Sequence, residues 1–485
     1  MEAEQQKGME GFFKPRSIAI VGVSTRSFRF GGLSFLQKFQ ECGFPGRIYP
    51  VHPRAPEIRG LKAYPSLRSL PETPDLVVVC VPADSVPGVL RECGEIGAGR
   101  VHILSSGFKE LGTAEGRRLE EEVASIAREK GLLVMGPNCM GPYCPEGRVT
   151  PWGAIPGLVG PVGVISQSGT LTQRITEYLC SLGMGVSKAA SFGNAAVLDA
   201  VDFLEFLGRD EATQAVAMYL EGVPDGRRFL ERAKAVNAIK PVVLWRGGES
   251  EAGRWAARSH TGSMAGATYL WEAFYRQTGV TRVESMDELV DAVLVLLLLP
   301  KPRGRRVFLV GGGGGTSVVS GDACVRAGLE VASLSASTLD ALRGMVPAVG
   351  SIAGNPLDYW RAYEDTQETV RVLDLAFEDP LVDMIVVDRM LPRTAYHMPE
   401  TAADASSGVI EYMGKNRRRK PVVFTVDFGG GDPDLTLRGG GLVASFCRAG
   451  LPAYPGLGRA LRALAHLYRY HEGLRLRGPD QRTSL

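Results

Sequence analysis

The chain has 485 residues, 45% of them hydrophobic and 22% charged, with a formal net charge of +2. That length exceeds one ordinary hydrophobic core, so several domains of a soluble globular kind are expected. So small a net charge supplies no basic field for nucleic acid or an anionic membrane, and neither is expected as a partner.

The N-terminal stretch MEAEQQKGMEGFF has no apolar core and no cleavage site, so it does not read as a secretory signal and a cytoplasmic protein is expected. Eight cysteines occur without a CxxC pair, which suits free thiols in a reducing compartment and gives no metal site. The runs SIAIVGVS (17–24), DLVVVCVPAD (75–84), RVHILSSGF (100–108) and GLLVMGPN (131–138) each end in small or polar residues and precede a helix-like segment. That alternation is the pattern of a parallel sheet with crossover helices. Ligands of such sheets collect where strands end and helices begin. The first such turn is VGVSTRSFRFGG (21–32): Gly22 ends the strand, and the hydroxyl of Ser24 and the charge of Arg26 suit the phosphates of a nucleotide-bearing ligand. It is not GxGxxG, which argues against a nicotinamide dinucleotide, and a plain glycine turn is the competing reading.

The same grammar restarts at GPVGVISQSG (160–169). Ser168, Gly169 and Thr170 at a strand-to-helix junction offer N–H groups and hydroxyls to a phosphoryl group. The GxSxG form of a serine hydrolase elbow is missing. In TQAVAMYLEG (213–222), Glu221 falls at a strand end, either as an acid that orients an imidazole or as a solvated or capping acid. The stretch GGESEAGRWAARSHTGSMAG (247–266) sets His260 among small residues and hydroxyls. It reads as a nucleophile that carries a covalent group, or as a surface helix cap. LVDAVLVLLLLP (289–300) is too short to span a bilayer and reads as a buried helix. A third restart follows at RVFLVGGGGG (306–315), with DMIVVDRM (383–390) and KPVVFTVDFGG (420–430) as later strands. The fold expected is α/β in three domains, 1–147, 148–300 and 301–485.

Taken together, IAIVGVS, CVPAD, SSGFKE, GPNCMG, ISQSG, SFGNAAVLDAVDFLEFL, YLEGVPDGRRFL and SEAG…SHTGSMAG, in this order and spacing, resemble the α subunit of the NDP-forming acyl-CoA synthetases, relatives of succinyl-CoA synthetase, over roughly residues 12–467. The resemblance implies a Rossmann-like CoA-binding domain followed by two flavodoxin-like ligase domains. It implies that His260 becomes phosphorylated, with Glu221 as its orienting carboxylate and Ser168, Gly169 and Thr170 as the cradle of its phosphoryl group. Gly22, Ser24, Arg26, Val81, Pro82, Ala83 and Asn138 would hold the coenzyme A and acyl end. The implied reaction converts acyl-CoA, ADP and phosphate into carboxylic acid, coenzyme A and ATP through an acyl phosphate. ADP, ATP and Mg2+ would bind a partner ATP-grasp β subunit in a hetero-oligomer.

Three departures stand out. Glu249 occupies a place where relatives commonly carry arginine, with Arg246, Arg254 and Arg258 near it in sequence. Five glycines (311–315) replace a run that typically contains Asn and Pro, and Trp360 adds bulk beside NPLD (355–358). Tyr143 and Trp152, after GPNCMG, are either packing residues or a wall for an aromatic acid. A CoA-binding regulatory or scaffold protein without turnover, and a related acyl or carbamoyl transferase, stay open as alternatives.

Overall fold

The structure is a computed structural model that describes residues 2–24, 31–150, 152, 157–261, 267–311, 313–390, 401–416, 419–427 and 432–477, with the side chains at 2–5, 258–261, 363, 364, 390 and 401–405 left aside. The chain divides into two units, Met1–Cys180 with Gly185–Glu284, and Ser285–Gln481 with Ser181–Met184.

The first unit holds two sheets. After helix α1 (Glu2–Phe13), strands β1 (Ser17–Val21) and β2 (Arg47–Val51), the small hairpin β3 (Glu57–Ile58) and β4 (Leu61–Lys62), and strands β5 (Leu76–Val79), β6 (Arg100–Ile103) and β7 (Leu133–Met135) follow. The first sheet runs β2-β1-β5-β6-β7, all parallel. Helices α2 (Gly32–Glu41), α3 (Val86–Glu95) and α4 (Ala114–Lys130) are its crossovers. Every residue of β1 and of β5 is buried, which is why these strands read as unbroken apolar runs.

The chain reaches the second sheet at β8 (Gly141–Tyr143), which pairs antiparallel with β10 (Val186–Ser191). Strands β9 (Val159–Ser166), β11 (Ala215–Leu220), β12 (Val242–Arg246) and β13 (Thr281–Val283) complete the order β13-β12-β11-β9-β10-β8. Apart from β8 all of its pairs are parallel. Tyr143 and Trp152 are 0% and 1% exposed and stack with centroids 5.3 Å apart, while the Trp152 indole donates to Met140 O at 2.8 Å. They are packing residues of this edge. Helices α5 (Gly169–Ser181), α6 (Ala200–Arg209), α7 (Gly226–Ile239), α8 (Glu251–Thr261) and α9 (Thr268–Thr278) connect these strands.

The second unit opens with α10 (Met286–Leu298), buried from Leu289 to Val295. Its sheet is built from β14 (Arg306–Gly311), β15 (Glu330–Val331), β16 (Leu357–Asp358), β17 (Met384–Met390), β18 (Val422–Asp427) and β19 (Ala453–Tyr454), in the order β15-β14-β17-β18-β19 with β16 paired to β14. Helices α11 (Gly314–Arg326), α12 (Ala336–Met345), α13 (Arg361–Glu364), α14 (Thr366–Glu378), α15 (Thr401–Asn416), α16 (Pro433–Arg448) and α17 (Leu457–Arg477) accompany it. Both the second and third sheets have the strand order of doubly wound folds, whose ligand crevices lie beyond the carboxyl ends of the strands. No described helix is long and apolar enough to cross a membrane.

Candidate active site

Strand β9 delivers Ser166 and Ser168 to the start of α5. The buried Ser168 hydroxyl accepts from Leu171 N at 3.3 Å and so caps the helix, and Ser166 Oγ accepts from Ser168 N at 3.1 Å. The next two N–H groups, of Gly169 and Thr170, head the helix where no intrahelical acceptor exists and the helix dipole is positive. Thr170 faces solvent. A Cβ on Gly169 would run into the Met140 side chain, so the small residue lets the GPNCMG turn press against the helix start.

Gln167, 4% exposed, ties this junction to the end of β11. Its Oε1 accepts from Glu221 N at 2.6 Å and from Gly222 N at 3.2 Å. Glu221 is 3% exposed, and the Tyr219 hydroxyl donates to its Oε1 at 3.3 Å. Burial, and then the Glu221 charge, push the Tyr219 phenol above its ordinary value, so it stays a donor. Sequence reading reached Glu221 as a strand-end acid; the Gln167 and Tyr219 groups that hold it were missed.

Beyond β12, Ser250 caps α8: its Oγ accepts from Gly253 N at 3.0 Å and its carbonyl from Arg254 N at 2.8 Å. Helix α8 rests on the 3-10 turn Lys109–Leu111 of the first sheet's strand-end loops. His260 lies in the last turn of α8. Its side chain, and residues 262–266, fall outside the described residues.

The turns of the first sheet meet the same region. Gly22 has φ +87°, and a Cβ there would lie 2.7 Å from Cys80 O and 2.8 Å from Val81 Cγ1. Only glycine meets both the left-handed backbone and the close approach. Ser24 follows at the strand end, whereas Arg26 falls outside the described residues. Ser105 Oγ donates to Val81 O at 2.5 Å, and Pro82 opens the 3-10 turn Ala83–Ser85. Asn138 follows the cis Gly136–Pro137 bond at φ +57° and its amide donates to Asn194 Oδ1 at 3.3 Å. Burial pushes the His102 imidazole down to about 4, and this neutral ring donates through Nε2 to Cys139 O at 3.2 Å, bracing the same turn. Replacing Gly22 by alanine is expected to destabilise the first unit by at least about 1–2 kcal/mol, read as its unfolding transition in urea, because the positive φ alone costs about that much. Unchanged stability would mean that the turn relaxes to admit the side chain.

Three family models match the chain in succession: a CoA binding domain over 16–145, a succinyl-CoA ligase like flavodoxin domain over 159–296 and a ligase-CoA domain over 307–435. The α subunit of acetate–CoA ligase [ADP-forming] I of Pyrococcus furiosus is 35% identical over 95% of this chain and 97% of its own. The chain belongs to the ADP-forming acyl-CoA synthetases, in the α-subunit arrangement. Acetate–CoA ligase [ADP-forming] I of Archaeoglobus fulgidus is 33% identical over 95% of this chain, which spans 64% of that longer protein. Among solved structures, the dinucleotide-forming acetyl-coenzyme A synthetase 1 of Ca. Korarchaeum cryptofilum, in complex with phosphate and ADP, matches with TM-score 0.83 at 32% identity, over 96% of this chain and 97% of that one.

The departures from the synthetase pattern now have physical accounts. Glu249 pairs with Arg282 Nη2 at 3.2 Å, and its carbonyl accepts from Arg254 Nη1 at 2.8 Å. Arg282 also holds Glu272 at 2.6 Å. The acid is therefore paired with an arginine 33 residues away, and its charge also acts on the buried Arg246, whose guanidinium lies 4.9 Å from the Trp271 ring centroid.

In the second unit, Asn355 accepts from Leu309 N at 3.0 Å and donates to Val307 O and Ala332 O at 2.8 and 2.9 Å. Asp358 then accepts from Gly313 N at 2.6 Å, so the NPLD segment fixes the glycine turn at the head of α11. Beside it lies a cavity of about 230 Å³ bordered by Gly311, Thr316, Ser317, Asp388 and Asp427. Burial pushes the Asp388 carboxyl up to about 6 against the Thr425 hydroxyl it accepts from, with the Asp427 charge adding to the rise. Trp360 stands half-exposed, with Arg361 5.5 Å from its ring centroid.

Proposed function

We propose that the chain is the α subunit of an acyl-CoA synthetase that converts acyl-CoA, ADP and phosphate into carboxylic acid, coenzyme A and ATP. Phosphate oxygen attacks the thioester carbonyl and expels the coenzyme A thiolate, which takes up a proton. The resulting acyl phosphate gives its phosphoryl group to one imidazole nitrogen of His260, releasing the carboxylate. The phosphohistidine then passes the group to ADP on a separate subunit. The observation that carries this reading is the buried Glu221, held by Gln167 and Tyr219 beside the Ser168-capped start of α5. A fixed carboxylate selects one imidazole tautomer and stabilises the charge that builds on the ring as the other nitrogen attacks. The N–H groups of Gly169 and Thr170 supply the matching electrostatic cradle for a phosphoryl group.

Gly22, Ser24, Arg26, Val81 to Ala83 and Asn138 are assigned the coenzyme A and acyl end. The tight packing of Gly22 against Cys80 O and of Gly32 against Gly22 O removes side chains from the turn and suits close approach of a phosphate-bearing chain. The nucleotide and Mg2+ are assigned to an ATP-grasp β subunit in a hetero-oligomer. The Pyrococcus furiosus relative is named a subunit, and the single-chain Archaeoglobus fulgidus relative is longer than this chain by about a third of its own length. The eight cysteines are free thiols, in keeping with a reducing cytoplasm.

The test uses the full chain with acetyl-CoA and radiolabelled inorganic phosphate. The expected result is an acid-labile phosphoryl group on the protein, with coenzyme A and acetate released in equal amount. Coenzyme A binding without label would make the chain a binding module, and label-free acyl transfer would make it a transferase.

A further inference from the structure

The loop after β10 carries a side chain with every polar group committed. Asn194 is 3% exposed. Its Nδ2 donates to Glu110 Oε2 at 2.6 Å and to Glu120 Oε2 at 2.8 Å, and its Oδ1 accepts from Asn138 Nδ2 at 3.3 Å. Its main chain donates to Pro137 O at 3.0 Å and accepts from Lys109 Nζ at 2.5 Å. Lys109 in turn pairs with Glu120 at 2.8 Å. The orientation of the amide is forced: ionised carboxylates only accept, so the nitrogen must face Glu110 and Glu120 and the oxygen must face Asn138. Gly193, at φ +56°, leaves no room for a Cβ against the Asn138 carbonyl, so the loop seats directly on the strained turn.

Those contacts join two pieces of the site that the sequence separates. One is the GPNCMG turn with Asn138. The other is the Lys109–Leu111 turn, on which α8 rests and whose Glu110 also accepts from Gly107 N at 2.6 Å. We infer that Asn194 is a positioning residue that locks the Asn138 amide to the Lys109–Leu111 turn and thereby sets the distance between the acyl end and the helix bearing His260. This rests on the roles proposed above for Asn138 and His260. A near-attack geometry is sensitive to displacements of about 1 Å, so a loosened register lowers the transfer rate more than the affinity for coenzyme A.

Asn194→Asp keeps the shape and turns a donor into an acceptor facing two carboxylates. In single turnovers of the full chain with acetyl-CoA and radiolabelled phosphate, it is expected to slow labelling at least 30-fold, with the coenzyme A dissociation constant within threefold of wild type. Adding Glu110→Gln should recover at least tenfold of that loss. The amide introduced there keeps an oxygen on the Gly107 and Phe108 N–H groups and turns its NH2 toward the new carboxylate at position 194. Wild-type labelling in Asn194→Asp, an equal loss of affinity and rate, or no recovery in the double variant would each overturn the inference. Should wild type itself take no label, the carrier role of His260 fails on its own. The positioning role is then decided by hydrogen exchange over 104–112 and 134–141. Exchange at least tenfold faster in Asn194→Asp and slowed again by Glu110→Gln upholds it, and unchanged exchange overturns it.

Discussion

His260→Ala is expected to abolish phosphoryl labelling from acetyl-CoA and phosphate, a fall on the order of 10³-fold or more, while the affinity for coenzyme A stays within twofold. A loss of that size corresponds to roughly 4 kcal/mol of transition-state stabilisation. Alanine suits the α8 backbone, so the helix, its Ser250 cap and its seat on the Lys109–Leu111 turn remain. The turns at Gly22 and Asn138, proposed above for coenzyme A, belong to other elements and keep their geometry. Formation of free acetyl phosphate in the variant would show that the first step survives and only its acceptor is gone. Persistence of an acid-labile label would move the carrier to another residue and leave Glu221 without its proposed partner.

The alternation of strand and helix was legible because both faces of each parallel sheet are covered. Strands β1, β5 and β12 therefore carry apolar residues at consecutive positions and stand out from helical periodicity. Strand β8 was not legible. Gly-Pro-Tyr is too short to show a period, and its place is set by pairing with Ala189–Ser191 some 48 positions away in register. For the same reason the chain enters the second sheet within the segment read as the end of the first domain. Helix α10 read correctly as buried, yet its apolar run does not say which sheet it serves. That is decided by the Arg459 and Tyr454 contacts that group it with the second unit.

The site divides along the same line. Ser168, Gly169, Glu221 and the SEAG helix start were legible because a strand-end glycine, serine or acid is a local signal. Gln167 and Asn194 lie inside motifs quoted from the sequence, but what they do is fixed by partners 54 to 85 residues distant. Glu249 combines a local and a distant part. Arg246 and Arg254, near it in sequence, do act on it, Arg246 through charge and Arg254 through a bond to its carbonyl, whereas Arg282, which pairs with its carboxylate, is brought in by β13 beside β12 and was not legible.

Arg459→Met is expected to destabilise the unit Ser285–Gln481 by about 3–5 kcal/mol at pH 7.5, followed as the unfolding transition of that unit in urea. Asp291, with a side chain 5% exposed, takes two bonds of 2.7 Å from the Arg459 guanidinium, and its carbonyl accepts from the Tyr454 hydroxyl at 3.1 Å. Burial holds the Asp291 carboxyl above the usual carboxylate range, and Arg459 limits that rise. Without the arginine, the charged form loses its partner and the carboxyl rises further. A folded state that binds its proton more tightly than the unfolded chain loses stability as pH rises from the unfolded value toward the folded one. The gap between variant and wild type should therefore be largest near neutrality and narrow at pH 5. Adding Asp291→Leu removes the orphaned charge and should return most of the lost stability at pH 7.5, because an apolar pair of similar volume tolerates this site. A single variant as stable as wild type, or a double variant no better than the single, would mean that water reaches Asp291 and that α10 is held to α17 by its apolar face alone.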